Sequence, residues 1–140
     1  MEFNEFISDK KILSGIGKLR FKRPTLVQEA VYAKVLEVGS YFVQAPTGSG
    51  KTLAYLLPLF EKYKNVEREN KVIIAAPTTE LALQIHRQAE LVRGNTGIGL
   101  HSVCLGGNAS IIRQIENLKN KPQIIVGTPG RIIELIRKRK

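Results

Sequence analysis

At 140 residues with 43% hydrophobic side chains, the chain suffices for one domain or part of one, burying roughly two-thirds of its unfolded surface. Lys and Arg number 22 against 12 Asp and Glu, and this net charge of +10 suits a polyanionic partner such as nucleic acid. No apolar run approaches the roughly 20 residues of a membrane span, the start Met1-Glu2-Phe3-Asn4-Glu5 is wrong for a secretion signal, and the lone Cys104 excludes an internal disulfide. A cytoplasmic protein is expected, with Cys104 a buried structural thiol.

Residues 8–19 place Ile12, Leu13, Ile16 and Leu19 at helical spacing behind Ser8 as a cap, while Gly15 and Gly17 weaken the helix. A second helix is predicted over 25–38, with Val27, Ala30, Val31 and Val35 on one face and Gly39 as its stop. A regular alternation follows. Strand-like runs at 41–45, 71–76, 100–105 and 123–127 are separated by helical patterns at 51–63, 79–92, 110–119 and 130–138, with 65–70 a polar surface loop. Such an order implies an α/β fold, a mainly parallel sheet with helices on both faces, and ligands at the strands' carboxyl ends.

The stretch Ala45-Pro46-Thr47-Gly48-Ser49-Gly50-Lys51-Thr52 joins the first predicted strand to a helix. Gly48 and Gly50 allow successive N–H groups to turn inward on a phosphate at the positive end of the helix dipole. Lys51 would reach the β- and γ-phosphates, and the Thr52 hydroxyl would ligate Mg²⁺. The strict phosphate-loop pattern begins with Gly, where this chain has Ala45.

Upstream stands Phe21-Lys22-Arg23-Pro24-Thr25-Leu26-Val27-Gln28. Thr25 and Gln28 have the spacing of a helix capping box, so Gln28 has a local use. Its amide also both donates and accepts, as an adenine edge requires, with the Phe21 ring to stack on the base. The two roles are compatible. Downstream, Pro77-Thr78-Thr79-Glu80-Leu81-Ala82, Gly106-Gly107 and Gly127-Thr128-Pro129-Gly130-Arg131 each follow a predicted strand and open a helix. Singly these are ordinary caps and turns. Together they form a row of N–H donors for successive phosphates, with Arg131 as a cation. His86 and His101 have no Cys or second His at metal-ligand spacing, and neither is assigned a catalytic role.

Taken in order, Phe21-x-x-Pro24-Thr25-x-x-Gln28, Ala45-x-Thr47-Gly48-Ser49-Gly50-Lys51-Thr52, Pro77-Thr78-x-Glu80-Leu81-Ala82, Gly106-Gly107 and Thr128-Pro129-Gly130-Arg131 resemble the motifs of DEAD-box ATP-dependent RNA helicases. The resemblance runs from Phe3, at the place of that family's isolated upstream aromatic, to the end of the chain. It implies a RecA-like P-loop domain, of which residues 1–140 are the N-terminal part: 1–39 an adenine-reading helical segment, 40–140 the P-loop core. It further implies that Phe21 and Gln28 select ATP or ADP. Thr47, Gly48, Ser49, Gly50, Lys51 and Thr52 would hold its phosphates and Mg²⁺, with Lys51 and Thr52 at the reacting end. Pro77, Thr78, Gly107, Thr128, Pro129, Gly130 and Arg131 would hold an RNA backbone without sequence preference. The parent protein would couple ATP binding and hydrolysis to RNA duplex remodelling.

The pattern also departs from the family's. Thr79 stands where the family usually has Arg, and Pro46 where Gln is common. Asp9 is the only aspartate, no strand ends in Asp-Glu-Ala-Asp, and no Ser-Ala-Thr motif is present. The remaining strands and the second RecA-like domain are expected as missing partners, and the isolated chain is expected to turn over ATP barely or not at all. Two other readings stay open: a non-enzymatic, nucleotide-gated RNA-binding module, and an unrelated P-loop enzyme such as a small-molecule kinase.

Overall fold

Helices start where a polar side chain can satisfy the first unpaired N–H groups, and the first 28 residues do this three times. In the computed structural model, which describes residues 2–106 and 110–137, Glu2 and Glu5 box a short 3-10 turn at Phe3–Glu5. Helix α1, Lys10–Lys18, is capped by the Asp9 carboxylate, which accepts from the N–H groups of Lys11 and Ile12 at 2.9 and 3.0 Å. The expected cap, Ser8, is one residue too early, and an anion suits the positive helix end better than a hydroxyl. Helix α2, Leu26–Leu36, opens with the Thr25–Gln28 box. It ends at Glu37, in extended backbone, so Gly39 lies beyond its end and is not its stop.

The remaining elements are α3 (Lys51–Lys62), β1 (Val72–Ala75), α4 (Thr79–Thr96), β2 (Ser102–Leu105), α5 (Ile111–Leu118), β3 (Ile124–Gly127) and α6 (Pro129–Arg137). They form two compact units. The first comprises Met1–Lys64 and Leu91–Gly99, the second Asn65–Glu90 and Leu100–Lys140.

In the first unit α2 packs along α3, and Ile12, Ile16, Tyr32, Leu56 and Phe60 are buried. The Tyr32 hydroxyl donates to Glu61 at 2.8 Å, and Phe6 meets the Tyr32 ring edge-on with centroids 5.6 Å apart. Burial, reinforced by Glu61, pushes the Tyr32 phenol far above its ordinary value. Lys64 binds the Asp9 carboxylate at 2.8 Å.

The strand expected at 41–45 is absent. Tyr41, Phe42 and Val43 form no ladder, and Phe42 is 92% exposed. Strand propensity alone cannot hold a strand: its N–H and C=O groups need a neighbour, and no strand among the described residues pairs with this segment.

The second unit holds a three-stranded parallel sheet in the order β1-β3-β2, with Ala75, Gly127 and Leu105 in register at its carboxyl end. Side-chain alternation separates its faces. Val103 and Leu105 pack with Leu135 of α6 and with Ile111, Ile115 and Leu118 of α5, whereas Ser102 on the opposite face bonds His86 of α4. Helices therefore cover both faces, as the alternating pattern predicted. Cys104 on β2 is half-buried, and that burial raises its thiol pKa.

Candidate nucleotide and nucleic-acid site

In the first unit, the loop before α3 is a tight turn closed by the Ser49 N–H donating to the Pro46 carbonyl at 3.2 Å. Gly48 and Gly50 take φ of +83° and +85°, left-handed values at which a side chain is strained. Gly50 is the N-cap of α3, and the loop thereby delivers Lys51, exposed, and Thr52, half-buried, in the first turn. The helix dipole points its positive end at this turn.

Gln28 reaches the same loop. Its side-chain oxygen accepts from the Thr25 N–H at 3.0 Å, while its amide nitrogen donates to the Gly50 carbonyl at 3.4 Å. The residue is only 7% exposed, and a Cβ on Gly50 would lie 2.6 Å from that nitrogen. Local capping and a long-range tie thus coexist in one amide. Phe21 precedes α2 and is 44% exposed. Phe3, in contrast, is buried and rests against Phe6.

The Ser49 hydroxyl is buried with no hydrogen-bond partner, an arrangement that leaves a polar group waiting for a ligand. Positive-φ glycines, an exposed lysine at a helix start and this orphaned hydroxyl fit a bound phosphate. Thr52 shares a side-chain hydrogen bond with Tyr55, whose phenol is raised by burial and partly lowered by that bond. Among the described residues no group of three or more His, Cys, Asp or Glu is placed to hold a metal ion. Asp9 serves α1 and Lys64 instead. Burial raises its carboxyl, but the Lys64 ammonium and the two N–H donors outweigh this and hold it below its ordinary value.

In the second unit, the register brings the residues after all three strands to one sheet edge. The Thr78 hydroxyl accepts from the Leu81 N–H at 3.1 Å and caps α4, with Pro77 exposed beside it. Thr128 donates its N–H to the Leu105 carbonyl at 3.2 Å, and Pro129 and Gly130 open α6 exposed. Gly107 lies outside the described residues. The Thr79 methyl is so close to Gly106 that a Cβ there would meet it at 2.6 Å.

Arg131 does not stand out from this edge as a lone cation. Its side chain is 13% exposed, donates to the Gln114 oxygen at 2.9 Å and pairs with Glu134 at 3.3 Å. Gln114, buried on α5, passes the connection on by donating to the Gly106 carbonyl at 2.8 Å. The sequence reading missed Gln114, although a signal was present: it interrupts the apolar stripe Ile111, Ile115 and Leu118 at helical spacing.

No helix among the described residues is long and apolar enough to cross a membrane. The family model of DEAD/DEAH box helicases matches residues 25–140. The DEAD-box ATP-dependent RNA helicase CshC of Bacillus cereus is 44% identical over 123 residues, covering 88% of this chain and 31% of that protein. A DEAD box protein from the hyperthermophile Methanococcus jannaschii superposes with a TM-score of 0.86 at 37% identity, covering 99% of this chain and 38% of that one. Mss116p bound to ssRNA and AMP-PNP also gives 0.86, at 31% identity, covering 97% and 28%. The chain spans under a third of the length of CshC and comparable curated relatives. With its motifs in order on a RecA-like α/β fold, the chain belongs to the DEAD/DEAH box helicase family.

Proposed function

We propose that residues 1–140 are the N-terminal part of the first RecA-like domain of an ATP-dependent RNA helicase, with 1–39 reading adenine and 40–140 carrying the P-loop core. The Phe21 ring stacks on the base and the Gln28 amide reads its edge. Thr47, Gly48, Ser49 and Gly50 cradle the phosphates, Lys51 neutralises them, and Thr52 supplies an oxygen for Mg²⁺. ATP with Mg²⁺ supplies the phosphoanhydride whose hydrolysis resets the parent enzyme after RNA remodelling. Pro77, Thr78, Gly107, Thr128, Pro129 and Gly130 bind the RNA backbone, and Arg131 braces the Gly106 carbonyl through Gln114.

One observation carries this reading: the amide of Gln28 bonds the very loop that leaves the Ser49 hydroxyl unpartnered. The start of α2 that carries Gln28 and the loop that precedes Lys51 are thereby one connected structure, which supports a joint role in holding base and phosphates. Family membership sets aside the unrelated small-molecule kinase. The ligands of Mss116p, ssRNA and AMP-PNP, are of the two classes proposed here.

A second reading concerns the isolated chain. Its single aspartate is committed to α1 and Lys64, so within these residues no aspartate serves Mg²⁺. The 140-residue chain should bind nucleotide and RNA without appreciable turnover. Titration with fluorescent ATP and ADP analogues, competed by GTP, should show adenine selectivity that Gln28→Ala weakens and an affinity that Lys51→Ala lowers for every nucleotide alike. Absence of nucleotide binding would sink the proposal, and robust RNA-stimulated phosphate release would overturn the inactivity of the chain.

A further inference from the structure

In the second unit β2 is an edge strand: it bonds β3 on one side, and its other side meets no strand among the described residues. Unpaired N–H and C=O groups along such an edge are a template for another extended chain. Along β2 runs a cleft of about 780 Å³ whose wall includes Ser102, Val103 and Cys104, with α4 contributing His86 and α5 contributing Arg113. Arg68, His101 and Lys121 complete its charged rim.

The lining contains three permanent cations and two histidines, and no carboxylate. Glu90, the nearby acid, is turned to the Ser102 hydroxyl, which lies 3.2 Å from its carboxylate and 2.9 Å from His86 Nδ1. A rim of one sign repels a second copy of this basic chain. RNA phosphates would satisfy the N–H groups of the edge while leaving its carbonyls unpaired. An extended polypeptide satisfies both kinds of group.

We propose that the β2 edge is a docking site for an acidic, extended peptide, which adds to the sheet as a fourth strand with its carboxylates against Arg68, Arg113 and Lys121. Main-chain pairing along β2 supplies affinity, and the cationic rim selects acidic side chains.

The test titrates the ¹⁵N-labelled chain with a capped peptide of about seven alternating Glu and Val residues. In parallel it uses the same peptide N-methylated at alternate positions, and an oligouridylate. The amide signals of Ser102, Val103, Cys104 and Leu105 should shift with the first peptide and not with the second. Affinity should fall roughly fivefold or more in Arg113→Glu/Lys121→Glu, two exposed positions whose exchange leaves the melting temperature unchanged. If that variant does not fold, Arg68→Glu replaces it with the same expectation. No shift on β2 at about 1 mM peptide, a weak affinity that this probe should still reveal, overturns the proposal. Equal binding of the N-methylated peptide reduces the cleft to a charge trap and also overturns it. Shifts of the same amides by oligouridylate alone would assign the edge to nucleic acid instead.

Discussion

The side-chain amide of Gln28 is bonded to the carbonyl of Gly50, 22 residues away, at 3.4 Å, so the helix that follows Phe21 and the loop that precedes Lys51 share one hydrogen bond. Gln28→Glu separates the two duties of this amide. A carboxylate still accepts from the Thr25 N–H, as Glu does in a capping box, but it cannot donate to Gly50. The variant should lose nucleotide affinity about tenfold or more, a change worth ~1.4 kcal/mol, and also lower the melting temperature, because the new carboxylate is buried against the Gly50 carbonyl without a donor there. Thermal melts beside fluorescent-nucleotide titrations check both halves.

Gly48 and Gly50 share a left-handed φ but differ in surroundings. Gly48→Ala meets open space and should cost only the backbone strain, about 1–2 kcal/mol. Gly50→Ala adds a Cβ within 2.6 Å of the Gln28 nitrogen and should be the more damaging, with the Gln28 bond broken. Urea unfolding of the two variants would rank them.

The lowered Asp9 carboxyl sets an acid limit. Because its folded value lies below the unfolded one, the unfolded chain takes the proton first. Its contribution is therefore complete above a pH of about 4 and is lost as pH falls through the folded value. Asp9→Asn retains a capping oxygen but not the charge, so it should flatten the stability profile in that window with a smaller loss at neutral pH. Unfolding free energies measured between neutral pH and strong acid provide the comparison.

Arg131→Ala takes a donor from buried Gln114 and should cost about 1–3 kcal/mol of stability. RNA affinity should fall with it, while the slope of log affinity against log salt stays unchanged, because the guanidinium is held by Gln114 and Glu134. A slope reduced by about 0.7 would instead make Arg131 a direct phosphate contact.

Thr79→Arg restores the residue usual in this family next to Gly106. If its guanidinium reaches a phosphate, RNA affinity at low salt should rise and the salt slope should steepen by about 0.7. Fluorescence anisotropy with a short RNA across a salt series reads both quantities.

Much of the architecture is legible along the chain because it depends on neighbours in sequence. The Thr25–Gln28 box, the glycines at positions 48 and 50, the Thr128-Pro129 helix start and the three short apolar strands are local patterns of conformational preference and capping. They appear where spacing places them. The failures have the opposite character. Tyr41-Phe42-Val43 has strand propensity but no ladder partner among the described residues, and Asp9 displaces Ser8 because the helix start set the cap.

By itself the sequence determined the α/β class, the glycine turn before α3, the three strands of the sheet and the family, since each rests on residue types at short, regular spacing. Only the tertiary structure decided what those side chains hold. Gln28 ties to Gly50, Arg131 is drawn onto Gln114, Asp9 is claimed by Lys64, and β2 is left at the sheet edge. The reason is physical. A hydrogen-bonding side chain takes the partner that folding brings within about 3 Å, and that partner lies far along the chain, where no local pattern records it.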